Sequence, residues 1–321
     1  MNGAAPGTNM KGRKTVIGTV LVLIGLPAVL AVIEAAHFDV RNRSSGVIIS
    51  SGQKREYLLY VPSSYDSTRS TPLVISMHGG AMWGAAQRET SRWNDVADRH
   101  GFLVVYPSGT EFPKMWHASE PGADLTADVR FISELIDTLE ANYNIDASRI
   151  YADGFSNGGG MAFVLSCTLS DRIAAVGMVA SALFLPWSWC TDQRAVPMIA
   201  FHGTDDQIAP YRGGRSWVAP IPFADIPRWT ANWARRNRCA PDPVESVVPP
   251  DVTRLEYTNC TDDAAVVLYT IIGGGHTWPG GTPPPKWLAG STSNSVHASS
   301  EMWAFFVDHP LRQTRSRARQ N

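Results

Sequence analysis

Apolar runs and helical stripes alternate along the chain between residues 56 and 306. Glu56-Tyr57-Leu58-Leu59-Tyr60-Val61 reads as a strand, and Pro62-Ser63-Ser64-Tyr65-Asp66 as the turn after it. Leu73-Val74-Ile75-Ser76-Met77 and Phe102-Leu103-Val104-Val105-Tyr106 are apolar with almost no interruption, which predicts strands buried on both faces. Between them, residues 86–100 predict a helix capped by Gly101. Phe131, Ile132, Leu135, Ile136, Leu139 and Tyr143 recur at helical spacing. Arg149-Ile150-Tyr151-Ala152 then predicts a strand, and Met161-Ala162-Phe163-Val164-Leu165 a helix. Further strands are expected around 174–179, 198–201 and 264–271, with Met302-Trp303-Ala304-Phe305-Phe306 on a closing helix. This alternation predicts an α/β fold: a mostly parallel sheet with helices on both faces.

The N-terminus departs from that pattern. Lys11, Arg13 and Lys14 precede a run from Thr15 to Ile33 that holds no charge. As a helix the run spans about 28 Å, enough to cross a bilayer core. The basic flank keeps the N-terminus cytoplasmic and sends the rest of the chain out of the cytoplasm. Residues 1–36 therefore read as a signal anchor or a signal peptide. Ile33-Glu34-Ala35-Ala36 is a poor cleavage site, which tilts the reading toward an anchor and limits any membrane association to this segment. Residues 37–55 read as a tether, 56–310 as one folded domain, and 311–321 as a solvated basic tail.

Composition narrows the function. The chain has 321 residues, 44% of them hydrophobic, enough for one large domain with a full core. A formal net charge of -1 argues against a nucleic-acid partner. Four cysteines suit an oxidising compartment, and their positions suggest Cys167 with Cys190 and Cys239 with Cys260. Each bridge would close a loop of about 20 residues and contribute about 3 kcal/mol. Cys260 lies shortly before the 264–271 strand, so the second bridge is expected to pin the approach to the loop after that strand. No Cys-x-x-Cys or His-x-x-x-His spacing points to a metal.

The chemistry centres on Asp153-Gly154-Phe155-Ser156-Asn157-Gly158-Gly159. A strand, one serine between glycines and a helix make the pattern of a nucleophile elbow. Side chains two before or two after the serine would clash in so tight a turn, and Gly154 and Gly158 remove them. A bare Gly-x-Ser-x-Gly can also be a simple connecting loop, but two later motifs favour the catalytic reading. His202-Gly203-Thr204-Asp205-Asp206 and Gly273-Gly274-Gly275-His276-Thr277-Trp278 each come directly after a predicted strand. They supply an acid and a base in the order Ser, Asp, His. His78-Gly79-Gly80-Ala81 ends another strand, where the N–H of Gly80, or else of Ala81, would join that of Asn157 in holding an oxyanion. His78 and His202 read as hydrogen-bonding supports. Eleven tryptophans, several in loops, are either core plugs or walls of an apolar pocket.

Residues 73–80, 154–159, 202–211 and 274–280 resemble the polyhydroxybutyrate depolymerase-type esterases, a family that includes feruloyl and acetylxylan esterases. The resemblance runs from about residue 56 to residue 310. It implies a secreted α/β-hydrolase fold with disulfides and no cofactor. Its nucleophile falls on Ser156, its acid on Asp206 and its base on His276, with Trp278 beside the site. It implies small or oligomeric ester substrates: hydroxyalkanoate oligomers, feruloyl or acetyl esters. Met115-Trp116-His117-Ala118-Ser119 stands where members often carry Trp-Asn-Ala-Gly and paired cysteines, and Trp116 is a second candidate for the substrate wall. Asp153, before the elbow glycine, is a further departure. A serine peptidase and a non-catalytic hydrolase-fold binder are the alternative readings.

Overall fold

The computed structural model describes residues 45–119, 122–181, 185–190, 194–216, 222–248 and 251–312. The expected export segment and all but the first residues of the basic tail lie outside the described residues. Ten strands form one sheet: β1 (Gly46–Ser50), β2 (Gln53–Tyr60), β3 (Thr71–Met77), β4 (Leu103–Pro107), β5 (Ile145–Phe155), β6 (Val176–Val179), β7 (Met198–Gly203), β8 (Val244–Val247), β9 (Val252–Tyr257) and β10 (Val266–Ile271). Their spatial order is β1-β2-β4-β3-β5-β6-β7-β10-β9-β8. The central run from β4 to β10 is parallel, and antiparallel pairs flank it on each side.

Side chains alternate across this sheet and feed two cores. Leu73, Ile75 and Met77 of β3 face a layer that includes α3 (Ala123–Asn142), α4 (Asn157–Thr168) and α5 (Ile226–Arg236). Val74 faces the other layer, made by α1 (Gly84–Ser91), α2 (Trp93–His100) and α7 (Ala298–Val307). A short α6 (Lys286–Ala289) lies between β10 and α7 in sequence. On the first side Phe131, Ile132, Leu135, Ile136 and Leu139 are buried, as their helical spacing predicts. On the second, Trp93 stacks on Phe306 and Phe102 on Trp303. Full burial of such side chains contributes about 1.5–3 kcal/mol each, so these faces hold the helices to the sheet.

The structure corrects two expectations. The stretch expected as a tether, residues 37–55, contains β1, which pairs antiparallel with β2 from Gly46↔Tyr57 to Ser50↔Gln53. Ser51 and Gly52 join them with φ of 50° and 75°, a two-residue turn whose twist suits a hairpin. The helix expected over 86–100 is two helices. Arg92 takes φ 55°, its N–H closes on Arg88 O, and the chain restarts as α2 in a new direction. Both expected disulfides, Cys167–Cys190 and Cys239–Cys260, are formed.

Candidate active site

Because β3, β5, β7 and β10 run parallel, their carboxyl ends lie on one edge of the sheet, where ligands of open α/β sheets bind. His78, Ser156, Asp206 and His276 all sit just past those ends. Ser156 takes φ 52° and ψ −116°, a sparsely populated conformation for a residue with a side chain. Its N–H donates to Val179 O at 2.8 Å, and its carbonyl accepts from Gly159 and Gly160 as α4 begins. A Cβ on Gly154 would collide with the Gly158 carbonyl, and one on Gly158 with the Met77 and His78 carbonyls. The elbow closes only because both positions lack a side chain.

Asp206 and His276 are brought together from 70 residues apart. His276 Nδ1 is 2.8 Å from Asp206 Oδ2, with both residues buried. The other carboxylate oxygen, Oδ1, accepts the N–H groups of Ile208 and Ala209 at 2.9 and 2.7 Å. Burial alone would raise the Asp206 pKa, but the hydrogen bond and charge of His276 and the bonds from the backbone take it below the ordinary carboxylate value. His202 Nε2 donates to Ala209 O at 2.7 Å and lies 3.4 Å from Asp206 Oδ2. Burial lowers the His202 pKa and favours a neutral ring. The His276 ring lies 5.0 Å from that of Phe155, the residue before Ser156.

The loop after β3, where the oxyanion donors are expected, is equally specific. Ala81 N–H donates to Lys114 O at 2.9 Å and is thereby committed. Among the described residues, the N–H groups of Gly80 and Asn157 have no acceptor within the protein. A Cβ placed on Gly79 would come within 3.4 Å of Ser156 Cβ, so this loop lies against the serine. His78 supports it from below. Its Nδ1 donates to Gly79 O at 2.7 Å and its Nε2 accepts Gly109 N–H at 2.9 Å. Burial pushes its pKa down to about 4, which keeps Nε2 an acceptor at neutral pH.

A hairpin after β4 borders the same loop. Thr110 and Met115 exchange backbone hydrogen bonds at 3.1 and 2.9 Å, and Asn157 grips Trp116 through both its amide oxygen and nitrogen, at 2.7 and 3.0 Å. Behind it, Asp128 joins the buried Arg55 at 2.7 Å and accepts from His117 N–H and Nδ1 at 2.9 and 3.0 Å. His117 Nε2 is 3.1 Å from Glu111. Burial works against a charge on His117, but the bonds from Glu111 and Asp128 outweigh it and raise its pKa. Sequence reading missed this chain of contacts because Arg55 and Asp128 lie 73 positions apart on a strand and a helix, and no spacing links them.

Two expected wall residues are relocated. Trp278 and Trp116 are 1% and 2% exposed, and their indole N–H groups are used internally, on Ser299 Oγ and His78 O. They stand behind the site as supports. Trp278, like Trp93 and Trp233, is fully buried and takes the core-plug role.

Asp153 is also structural. Its Oδ1 accepts Ser76 Oγ at 2.7 Å, and Gln87 Nε2 donates to that same Oγ at 2.9 Å. Burial raises its pKa well above the ordinary value, with the hydrogen bond from Ser76 opposing the shift. The sign comes from linkage: a carboxyl with a raised folded-state pKa destabilises the fold progressively as pH climbs above the unfolded value of about 4. Asp153→Asn keeps the shape and cannot ionise. It is expected to raise the melting temperature, by more at pH 7 than at pH 4. Parallel melting-temperature curves for the two proteins across that range would contradict this.

Comparison with known proteins places the site in context. The sequence model of the family described as esterase PHB depolymerase matches residues 55–189. Feruloyl esterase B of Piromyces equi is 32% identical over 231 residues, 69% of this chain and 42% of its own length. The putative esterase NocK of Nocardia uniformis subsp. tsuyamanensis is 29% identical over 257 residues, 74% of each chain. This chain therefore spans less than half of the Piromyces protein and about three quarters of the Nocardia one. Among solved structures, acetyl xylan esterase from Aspergillus awamori matches with a TM-score of 0.60 at 15% identity, covering 81% of this chain and 98% of that one. At that identity the likeness is one of fold: the mostly parallel sheet that the alternation of strands and helices predicts, in the α/β-hydrolase arrangement that the family resemblance implies.

Proposed function

We propose, with residues 55–189 belonging to the esterase PHB depolymerase family, that this chain is an exported serine esterase acting through Ser156, His276 and Asp206. The observation that carries the reading is the buried 2.8 Å contact of His276 Nδ1 with Asp206, on the same sheet edge as the strained Ser156. It leaves Nε2 as the base. His276 takes the Ser156 proton as Oγ attacks the ester carbonyl, and Asp206 stabilises the imidazolium. The N–H groups of Gly80 and Asn157 hold the oxyanion, each having no other acceptor among the described residues. His276 then protonates the leaving alcohol, and water repeats the sequence to release the acid. Feruloyl, acetyl and short hydroxyalkanoate esters are the substrates proposed, on the strength of the names of the relatives and of the family. The basic-flanked apolar run at residues 15–33 and the two disulfides support export.

The test is labelling with a fluorophosphonate probe, then turnover on a panel of acetyl, hydroxybutyryl, feruloyl and peptide substrates. One labelled serine, mapped to Ser156, and turnover of esters over peptides are expected. No labelling of the folded protein, or faster cleavage of peptides, would overturn the reading.

A further inference from the structure

Two thioethers bracket the oxyanion loop, and nothing in the mechanism above uses them. A Cβ built on Gly80 would lie 3.0 Å from Met115 Sδ, 3.3 Å from Met115 Cε and 3.8 Å from Asn157 Cβ. One built on Gly79 would lie 3.1 Å from Met82 Sδ and 3.4 Å from Ser156 Cβ. Both methionines are half-buried, so neither is sealed into the core. Their backbones differ in how firmly they are held. Met82 N–H makes one turn bond of 3.2 Å to Gly79 O. Met115 is fixed at every side: paired with Thr110, preceded by Lys114 that binds Ala81, and succeeded by Trp116 held by Asn157. The hairpin therefore holds the Met115 thioether against Gly80, on the side of Gly80 that also faces Asn157 Cβ.

We infer that Met115 is a specificity-determining residue: its thioether forms the wall against which the acyl group of the ester lies. The inference rests on the esterase reading. Once the carbonyl oxygen is between Gly80 and Asn157, the acyl carbon chain must leave the reacting centre along the surface that borders them. Among the described residues, Met115 is the side chain that lies against Gly80 there. An unbranched, polarizable thioether suits acyl groups with an aromatic or extended apolar face, since it adjusts its shape and makes favourable contacts with ring edges. Loss of such contact discriminates between substrates by about 10-fold or more for each apolar group that loses its partner.

The experiment compares wild type, Met115→Ala and Met115→Leu on p-nitrophenyl acetate, butyrate, hexanoate and cinnamate, with fluorophosphonate labelling of each variant. Met115→Ala should lower kcat/KM for cinnamate and hexanoate about 10-fold more than for acetate, chiefly through KM. Met115→Leu, which restores apolar bulk, should bring the ratio back to within about 3-fold of wild type. An equal fall in kcat for all four esters would assign Met115 to mere support of the oxyanion loop and overturn the proposal, as would an unchanged ratio. Labelling separates the two failures. A wild-type protein that labels at Ser156 keeps the esterase reading whatever the ratio does, whereas one that never labels sinks both.

Discussion

Ser156→Ala is expected to abolish fluorophosphonate labelling and to lower ester turnover by about 10⁶, equivalent to about 8 kcal/mol of transition-state stabilisation. The expectation of an intact fold is as specific. Ser156 Oγ makes no hydrogen bond within the described residues, so its removal orphans no partner. Alanine also bears the same backbone strain at φ 52° that serine does, so the elbow gains and loses nothing. Gly154→Ala or Gly158→Ala should act in the opposite way. Their new methyl groups would meet main-chain carbonyls, which cannot swing aside, so the strand and helix must part and stability falls with activity. Thermal melting beside turnover of p-nitrophenyl butyrate separates the two classes. Turnover of Ser156→Ala within about tenfold of wild type would remove this serine from the nucleophile's role.

The sequence made the central sheet and the elbow legible because their signals are local. Buried parallel strands show as apolar runs, and Gly-x-Ser-x-Gly records steric demands within five positions. The edges were less visible. β8 is exposed at all four residues and β9 is buried only at its ends, so neither shows the pattern of a buried strand. β1 reads as tether for a similar reason: its short alternation leaves Val47 and Ile49 exposed on the outer edge. Supports were hidden for another reason. Trp116 and Met115 are neighbours in the chain, and only the packing shows one ring sealed behind His78 and one thioether half open beside Gly80. The Cys239–Cys260 bridge illustrates distance. Cys260 precedes the start of β10 while His276 comes after its end, so a strand about 20 Å long stands between them in the chain. It secures the far end of the strand instead of the approach to His276.

Asp206→Asn should lower turnover by about 10⁴, and Asp205→Asn by little, by analogy with triads in which the acid is replaced by its amide. The two aspartates are neighbours, and the chain alone leaves their directions open. In the fold, Asp205 is exposed and meets Thr204 Oγ1 at 3.3 Å, while Asp206 is 4% exposed and meets His276. The severity of the asparagine depends on which oxygen is already occupied. Oδ1 accepts N–H groups from both Ile208 and Ala209, so an amide at this position must keep its oxygen there. Its NH2 then faces His276 Nδ1. A donor facing Nδ1 stabilises the tautomer with the proton on Nε2, and that nitrogen can no longer accept from Ser156. Turning the amide over would instead point NH2 at two N–H groups and orphan both, at about 1–3 kcal/mol each, so the ring tautomer yields before the amide does. His202 offers no rescue, since its Nε2 proton is engaged by Ala209 O. The expected signature is a large loss in kcat with little change in KM or melting temperature. It is read from steady-state kinetics of the two variants beside ¹⁵N spectra of the His276 ring, in which Asp206→Asn shifts the proton from Nδ1 to Nε2. A crippled Asp205→Asn with a mild Asp206→Asn would reassign the acid, and an unshifted tautomer would remove the mechanism proposed for the loss.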